Sequence, residues 1–272
     1  MLWSTLFYVF ALEEEKRVKM DFLSLKNISY RNGSTEILKE LNIDFQRGQF
    51  YVIVGPNGSG KTTLLKTIIK NIIPSKGIIE LEGKNLKNIK AKHLASRFSY
   101  VPQNTNIELE FTCYDLVMMA RNHKLKTFQS EGKIDEDIVI NAMRKMEVLH
   151  LKDKPITEIS GGEKQRVILA RAIAQETSYI ILDEPISNLD IKHQILVMEH
   201  FKKLREEGKT IITVLHDLNF ALNYGDYGIL VSKGNVFSQG KIENVITPKT
   251  IKEVYEVESE IIKKNNKSFV IY

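Results

Sequence analysis

Gly55-Pro56-Asn57-Gly58-Ser59-Gly60-Lys61-Thr62 is the stretch that decides the fold, because it matches the pattern G-x-x-x-x-G-K-[S/T]. The apolar, β-branched run Phe50–Val54 precedes it and predicts a buried strand. Residues 62–70 follow it and place apolar side chains on one side of a predicted helix. A chance match in a glycine-rich turn is the alternative, but the strand-loop-helix context is the one that a phosphate-binding loop requires.

The residue types of this loop suit the binding of phosphate groups. Glycines allow a tight backbone turn, so that successive N–H groups can point at an anion. The N-terminus of the following helix adds a favourable dipole. Lys61 can reach the β- and γ-phosphates of a nucleotide, and the Thr62 hydroxyl can ligate Mg²⁺. The loop therefore predicts a nucleotide with Mg²⁺.

A second motif, Tyr179-Ile180-Ile181-Leu182-Asp183-Glu184, is an apolar strand that ends in two carboxylates. Ligands of parallel sheets bind beyond the carboxyl ends of the strands. Asp183 is thus placed to hold Mg²⁺, directly or through water, and Glu184 to polarise an attacking water as general base. Alone, the pair could equally be an exposed turn; together with the phosphate loop it predicts a hydrolytic site.

A third motif, Ser160-Gly161-Gly162-Glu163-Lys164-Gln165-Arg166, opens a predicted helix just upstream of the acidic pair. A Ser-Gly-Gly helix start is a second possible anion site. Because the phosphate loop already binds one nucleotide, a second anion site would serve a nucleotide held by another copy of the protein. The alternative is an ordinary capped helix with a flexible start.

The remaining sequence predicts an α/β fold. Residues 21–30 and 37–45 alternate apolar and polar side chains and predict two strands joined by a turn. Strands then alternate with helices, which implies a parallel sheet with helices on its faces. Residues 106–153 are predominantly helical and predict an inserted subdomain of approximately 104–160. The further predicted elements are helices 162–175, 190–207 and 248–255 and strands 179–182 and 210–215.

Composition narrows the class of protein. Hydrophobic residues make up 43% and charged residues 27%, which is ordinary for a globular domain and argues against a disordered chain. The net charge of +5 is compatible with a nucleotide, nucleic acid or an anionic membrane, but interspersed Lys and Glu favour a solvated lysine-rich surface. The single cysteine, Cys113, cannot form an internal disulfide, and no Cys/His spacing predicts a zinc site.

The first twelve residues, MLWSTLFYVFAL, are almost wholly apolar. They are too few to span a bilayer, which needs about 20 residues, and they lack the basic region and cleavage site of a signal peptide. We hypothesise that residues 1–19 are an apolar and acidic extension outside the domain and that translation begins at Met20. Peptides from 1–19 in the natural protein would contradict this. A short membrane-surface anchor is the alternative.

Together these motifs resemble the ABC ATPases, over residues 21–272. The resemblance implies an ABC-type P-loop ATPase domain at 20–272: a mixed sheet core, an antiparallel N-terminal β part and an inserted α-helical subdomain. In that family Ser160 to Glu163 correspond to the signature motif, which closes on ATP held by the partner subunit. The family usually has Gln where this chain has Glu163, and Leu where it has Ile159.

The resemblance also assigns roles to single residues. Tyr30 is similar to the aromatic residue that stacks on adenine, although a strand-end aromatic in the core is the alternative. Gln103 resembles the glutamine that contacts Mg²⁺ and water, and His216 resembles the switch histidine that reaches the γ-phosphate. The implied catalytic residues are Glu184, His216 and Gln103, and the implied Mg²⁺ contacts are Thr62, Gln103 and Asp183. The implied ATP contacts are Tyr30, Gly55, Pro56, Asn57, Gly58, Ser59, Gly60, Lys61, Thr62, Thr63, Ser160, Gly161, Gly162, Glu163 and Asp190.

The partners implied by the resemblance are a second copy of the chain, packed head-to-tail around two ATP molecules, and transmembrane permease subunits. Asp190, in the stretch 187–190, resembles the loop that crosses this dimer interface. A substrate-binding protein would be an indirect partner, nucleic acid would not be one, and the expected location is the cytoplasmic face of the cell membrane.

Three segments, 112–121, 189–194 and 247–261, resemble the branch that serves iron-chelate importers, as does Glu163. Iron-siderophore or haem uptake is the first expectation, followed by cobalamin and metal ions. Residues 120–123 depart from the branch pattern of Gly-Arg, an aromatic and Pro. Two alternatives stay open: a soluble ABC protein acting on ribosomes or nucleic acid, and an ATPase of an exporter or assembly machine. A single phosphate loop without sustained heptads argues against the first.

Overall fold

The structure is a computed structural model that describes residues 23–103, 107, 110–124 and 131–272. The hypotheses on residues 1–19 and Met20 lie outside the described residues. The strands are β1 Leu23–Asn32, β2 Thr35–Phe45, β3 Phe50–Val54, β4 Lys76–Leu81, β5 Lys84–Asn85, β6 Phe98–Val101, β7 Tyr179–Asp183, β8 Thr210–Val214, β9 Tyr227–Ser232, β10 Asn235–Lys241, β11 Glu260–Lys264 and β12 Lys267–Ile271. The helices are α1 Lys61–Ile68, α2 Ala91–Arg97, α3 Cys113–Met118, α4 Lys133–Lys145, α5 Gly161–Ala174, α6 Ile191–Glu206, α7 Leu218–Tyr224, α8 Ile242–Val245 and α9 Pro248–Tyr255.

The central sheet has the strand order β10-β9-β3-β8-β7-β6. Its strands β9, β3, β8, β7 and β6 are parallel, and β10 pairs antiparallel with β9. Every residue of β3, β7 and β8 is buried, because helices cover one face of the sheet and α1 with the second, antiparallel sheet covers the other. The carboxyl ends of these three strands meet at one edge, and there they place the phosphate loop, the acidic pair and His216.

A second sheet, of order β2-β1-β4-β5, is antiparallel. Buried and exposed side chains alternate over most of β2, whereas β1 buries Leu23–Leu25 and Ile28. The buried apolar residues of both strands pack on one side of the central sheet together with Leu64, Leu65 and Ile68 of α1. This apolar contact holds the helix of the phosphate loop between the two sheets.

Helices α3, α4 and α5 pack against one another, joined by a buried arginine. Arg121 is 2% exposed. Its Nε donates to Asp135 Oδ1 at 2.8 Å, and its Nη1 donates to Ala174 O at 2.6 Å and to Glu176 Oε2 at 2.9 Å. A buried charge is tolerated only when it is paired and hydrogen-bonded, and these contacts satisfy that condition. Arg121 therefore ties the start of α4 to the end of α5.

The C-terminal residues form α8, α9 and the hairpin β11–β12. Ile251 and Val270 bury their side chains in the same apolar cluster as α5 and α7. Among the described residues, no helix is both long and apolar enough to cross a membrane.

The α/β fold class with a mixed sheet and an antiparallel N-terminal part is confirmed. The predicted helices 62–70, 162–175 and 190–207 begin or end within two residues of α1, α5 and α6. Helices α3 and α4 lie inside 104–160, and the domain boundaries themselves stay a prediction. The sequence analysis did not predict β4, β5, β6, β9, α2, α7 or α8. The three helices are too short to show a helical hydrophobic period.

Candidate active site

The phosphate loop joins β3 to α1 and depends on two glycines. A Cβ atom on Gly55 would lie 2.0 Å from Val231 O, so that only glycine fits there. Gly60, the residue before α1, has a φ of +105°, which also favours glycine. Lys61 is 6% exposed, and its Nζ donates to Gly55 O at 2.7 Å and to Pro56 O at 2.9 Å. The ammonium group thus lies inside the loop.

Asp183 ends β7 directly beside the start of α1. Its side chain is fully buried, and Oδ1 accepts a hydrogen bond from the Thr62 hydroxyl at 3.2 Å. Oδ2 has no hydrogen-bond partner among the described residues. Burial raises the pKa of Asp183 and the charge of Glu184 raises it further, against the lowering effects of the Thr62 hydrogen bond, Lys66 and Lys61. Burial likewise lowers the pKa of Lys61.

Glu184 is held between two polar side chains from different elements. Gln103, which follows β6, donates from Nε2 to Glu184 Oε2 at 2.8 Å. His216, which follows β8, lies with its Nε2 2.5 Å from Glu184 Oε1. Glu184 has a φ of +52°, and such backbone strain is concentrated at functional sites. The structure therefore brings together the three predicted catalytic residues.

The start of α5 is closed by its own side chains. Ser160 Oγ accepts from Glu163 N at 3.3 Å, while the Glu163 carboxylate accepts from Ser160 N at 2.9 Å and from the Ser160 hydroxyl at 2.7 Å. These hydrogen bonds to Ser160 are the main cause that lowers the pKa of Glu163. Ser160 and Gly161 are exposed, so the helix start remains accessible from solvent.

The loop 187–190 lies against this helix start. A Cβ atom on Gly162 would lie 3.5 Å from Asn188 O, and buried Gln165 donates to Pro185 O at 3.1 Å. Asp190 caps α6 by accepting from His193 N at 2.9 Å. The predicted signature and interface residues therefore share one exposed region of the chain.

The remaining predicted site residues lie in the phosphate loop or beside it. Tyr30, half-buried on β1, pairs with Leu38 of β2, whose side chain would be 3.0 Å from a Cβ on Gly60. Asn57 and Gly58 are exposed at the tip of the loop. The Ser59 hydroxyl is buried and has no partner among the described residues, and Thr63 lies in the first turn of α1.

Two tyrosines at the site were missed by the sequence analysis. Tyr255 at the end of α9 has a pKa that burial raises, and it lies close enough to the Gly55 backbone for that group to lower the pKa in part. Tyr100 is close enough to Asp183 for the carboxylate to add to the rise in its pKa, which burial mainly causes. The position of Tyr100, three residues before Gln103, was the available signal; nothing in the local sequence marks Tyr255.

The chain is similar in sequence to known proteins over most of its length. Residues 38–187 match the sequence family described as ABC transporter. The chain is 35% identical over 254 residues to the petrobactin import ATP-binding protein of Bacillus subtilis, covering 92% of this chain and 99% of that one. It is also 35% identical over 231 residues to the ferric enterobactin transport ATP-binding protein of Escherichia coli, covering 85% of each chain.

Solved structures agree in fold. An inward-facing metal-chelate type ABC transporter has a chain that matches with a TM-score of 0.78 and 26% identity, covering 92% of this chain and 97% of that one. A dimeric ATP-binding cassette in a post-hydrolysis state, bound to ADP and Pi, matches with a TM-score of 0.75 and 28% identity, covering 81% of this chain and 98% of that one.

Proposed function

The chain belongs to the ABC transporter family as an ATP-binding, ATP-hydrolysing subunit, and from this premise we propose that it drives import of an iron chelate through a separate permease. The observation that carries the catalytic part is the position of Glu184 between Gln103 and His216, next to the Asp183–Thr62 pair. The similarity to import ATP-binding proteins over nearly the whole chain carries the transport part.

Glu184 is the general base in this proposal. It lies at the carboxyl end of β7, where ligands of a parallel sheet bind, and is half-buried beside the phosphate loop. It accepts a proton from water as the water oxygen bonds to the γ-phosphorus and the bond to the β–γ bridging oxygen breaks. Gln103 and His216 orient the carboxylate and the water, so that the geometry is fixed before the reaction.

Asp183 and Thr62 fit a magnesium site. Mg²⁺ prefers oxygen ligands and is usually held by one or two protein groups with substrate phosphates. The unpartnered, buried Asp183 Oδ2 and the neighbouring Thr62 hydroxyl supply such oxygens, and Gln103 approaches from β6. When bound, the ion would neutralise phosphate charge. Asp183, Thr62 and Lys61 hold the phosphates in register with Glu184.

The chain pairs with a second copy of itself, as dimeric cassettes of the family do. We infer that Ser160 to Gly162 and the loop that ends at Asp190 contact ATP held by the partner, because both are exposed and adjacent. Tyr30 on β1 stacks on the adenine of the ATP bound by its own loop. When that ATP binds, the Glu163 carboxylate either gives up its hydrogen bond from the Ser160 hydroxyl or shares this hydroxyl with the nucleotide.

The transported substrate is an iron-siderophore or a related chelate, by similarity to the petrobactin and ferric enterobactin proteins. The permease holds the chain at the cytoplasmic face of the membrane, a substrate-binding protein delivers the chelate, and nucleic acid takes no part.

The catalytic proposal is tested with Glu184→Gln and wild type in an ATPase assay, with nucleotide binding measured in parallel. Binding should persist while hydrolysis is lost. Near-normal hydrolysis by Glu184→Gln would refute the general-base role.

The transport proposal is tested by isolating the chain from its native membrane in mild detergent and identifying the proteins that come with it. A many-helix permease and an iron-chelate binding protein are expected. Recovery with ribosomal proteins alone would overturn the transport proposal and leave the ATPase chemistry intact.

A further inference from the structure

Residues 248–272, which comprise α9 and the hairpin β11–β12 and which we name the C-terminal unit, contact two loops of the nucleotide site. Burial raises the pKa of Tyr255 of α9, and the backbone of Gly55, the first residue of the phosphate loop, lies close enough to the hydroxyl to lower that pKa in part. The last residue, Tyr272, is close enough to Asp217, next to His216, to interact electrostatically. No motif of the sequence analysis gives this unit a part in hydrolysis.

The hairpin is docked on α7 by two asparagines. One edge of β12 pairs with β11, and the other edge faces α7. Asn223 Nδ2 donates to Ser268 O at 2.8 Å, and Asn223 Oδ1 accepts from Ser268 N at 3.0 Å. Asn219 Oδ1 accepts from Val270 N at 2.7 Å. The two side chains thus take the place of a neighbouring strand.

The spacing of the two elements makes this match possible. Residues four apart on a helix are about 6 Å apart along its axis, and residues two apart on a strand are about 6.7 Å apart. Asn219 and Asn223 are therefore in register with Val270 and Ser268. These hydrogen bonds satisfy backbone groups at the edge of β12 that would otherwise be unpaired. They therefore fix the position of the hairpin along the axis of α7 as well as its contact with the helix.

Helix α7 in turn follows directly on His216 in the chain. It begins at Leu218, two residues after His216, and Asp217 caps it by accepting from Asn219 N at 2.7 Å and from Phe220 N at 3.1 Å. Asn219 thus takes part in both the cap and the contact with β12. A shift of the α7 start would move His216 away from Glu184.

The C-terminal unit does not depend on these asparagines for its fold. Ile251 and Val270 are buried in the large apolar cluster, with Val254, Tyr255 and Ile261 packed around it. Loss of an asparagine contact should therefore shift the position of β12 on α7, while the C-terminal unit stays folded against the domain.

We propose that the C-terminal unit is a positioning element of the hydrolytic site: β12, held by Asn219 and Asn223, fixes α7 and thereby keeps His216 against Glu184. The asparagine side chains hydrogen-bond to backbone groups of α7 and β12 and act through His216, so both are positioning residues. The inference rests on the proposed roles of His216 and Glu184.

The experiment measures steady-state ATPase activity, ATP affinity and melting temperature for Asn219→Ala, Asn223→Ala, the double variant and Asn219→Asp in the full chain. Asn219→Asp keeps the acceptor oxygen that Val270 N requires. Asn141→Ala is the matched control, an exposed asparagine in the middle of α4. Each alanine variant should lower kcat by about twofold to tenfold, the worth of one net hydrogen bond, and leave KM for ATP within about twofold. Asn219→Asp and Asn141→Ala should stay near wild type.

A double-mutant cycle separates positioning from general destabilisation. In a His216→Ala background, with residual hydrolysis followed in long single-turnover reactions, the asparagine substitutions should cause no further loss, because the side chain that they position is gone. A further loss of the same size would overturn the proposal, as would equal losses in Asn219→Asp and Asn219→Ala or an unchanged kcat in the double variant. If the double variant melts far below wild type, the kcat values of Asn219→Ala and Asn219→Asp are compared instead. A loss in the alanine variant alone supports the proposal, and equal losses in both overturn it. Full activity of His216→Ala would instead refute the proposed role of His216 in hydrolysis, on which this inference rests.

Discussion

Asp183→Asn should stabilise the nucleotide-free protein while abolishing Mg²⁺-dependent hydrolysis. The Asp183 side chain is fully buried, and only one of its oxygens is hydrogen-bonded within the described residues. Burial raises its pKa above the value of the unfolded chain. A group whose folded pKa is raised favours folding when protonated, and that contribution is lost as the pH rises through the folded pKa. At neutral pH the folded protein therefore carries the cost of a buried carboxylate, which asparagine removes.

The expected gain is modest. Leaving a buried polar group unpaired costs about 1–3 kcal/mol. Lys61 and Lys66 offset part of this cost, and the new amide is itself not fully paired. The free energy of unfolding should therefore rise by about 1–2 kcal/mol. For a chain of this size that corresponds to about 2–8 °C in melting temperature.

The assay is thermal unfolding of both proteins without nucleotide or Mg²⁺, at neutral pH and at successively lower pH. The difference should shrink as the pH falls towards the pKa of Asp183, because the protonated carboxyl resembles the amide. Asp153→Asn is the control, since that side chain is 85% exposed and its removal should change little. A lower melting temperature for Asp183→Asn at neutral pH, or a gain that does not depend on pH, would refute the reasoning.

Three further predictions concern the same site. Glu184→Gln should reduce kcat by about 10²- to 10⁴-fold, the usual worth of a general base, while ATP still binds; equal activity of the two proteins would exclude that role. Lys61→Ala should weaken ATP binding by about tenfold to a hundredfold in a calorimetric or fluorescence titration, since charge-assisted hydrogen bonds to phosphate are lost, and unchanged affinity would contradict the loop assignment. Gly55→Ala should lower both ATP affinity and melting temperature, because its Cβ would lie 2.0 Å from Val231 O; a wild-type melting curve would show that the loop can shift.

The local motifs of the candidate site could be identified in the sequence, whereas the contacts between residues far apart in the chain could not. A phosphate loop and a strand-end acidic pair are local patterns, so Lys61 and Asp183 could be assigned from the printed residues alone. The sequence analysis assigned Thr62 and Asp183 to the same Mg²⁺ without predicting a direct contact; the structure places the Thr62 hydroxyl 3.2 Å from Asp183 Oδ1, because the carboxyl ends of the parallel strands β3 and β7 lie at one edge of the sheet.

The contacts that sequence reasoning missed join residues far apart in the chain. The proximity of Tyr255 to Gly55 and the docking of β12 on Asn219 and Asn223 depend on how residues 248–272 return to the site. Helix α7 is one of the elements that were not predicted, because seven residues give too little hydrophobic period. Asparagines in a short helix carry no signal of a strand-edge contact until the strand is placed.

The arginine that joins α3, α4 and α5 bears on attempts to exchange the helical part between relatives. Arg121 and Asp135 lie within 104–160, but Ala174 and Glu176, which also bind the guanidinium, lie beyond it. A graft with those boundaries would import one half of the network and rely on the host for the other half. A host without an acidic residue at the position of Glu176 would receive an underpaired buried cation. In chimeras of this protein, the boundary of the exchanged segment should therefore follow Glu176, so that the arginine and both of its carboxylate partners come from the same parent protein.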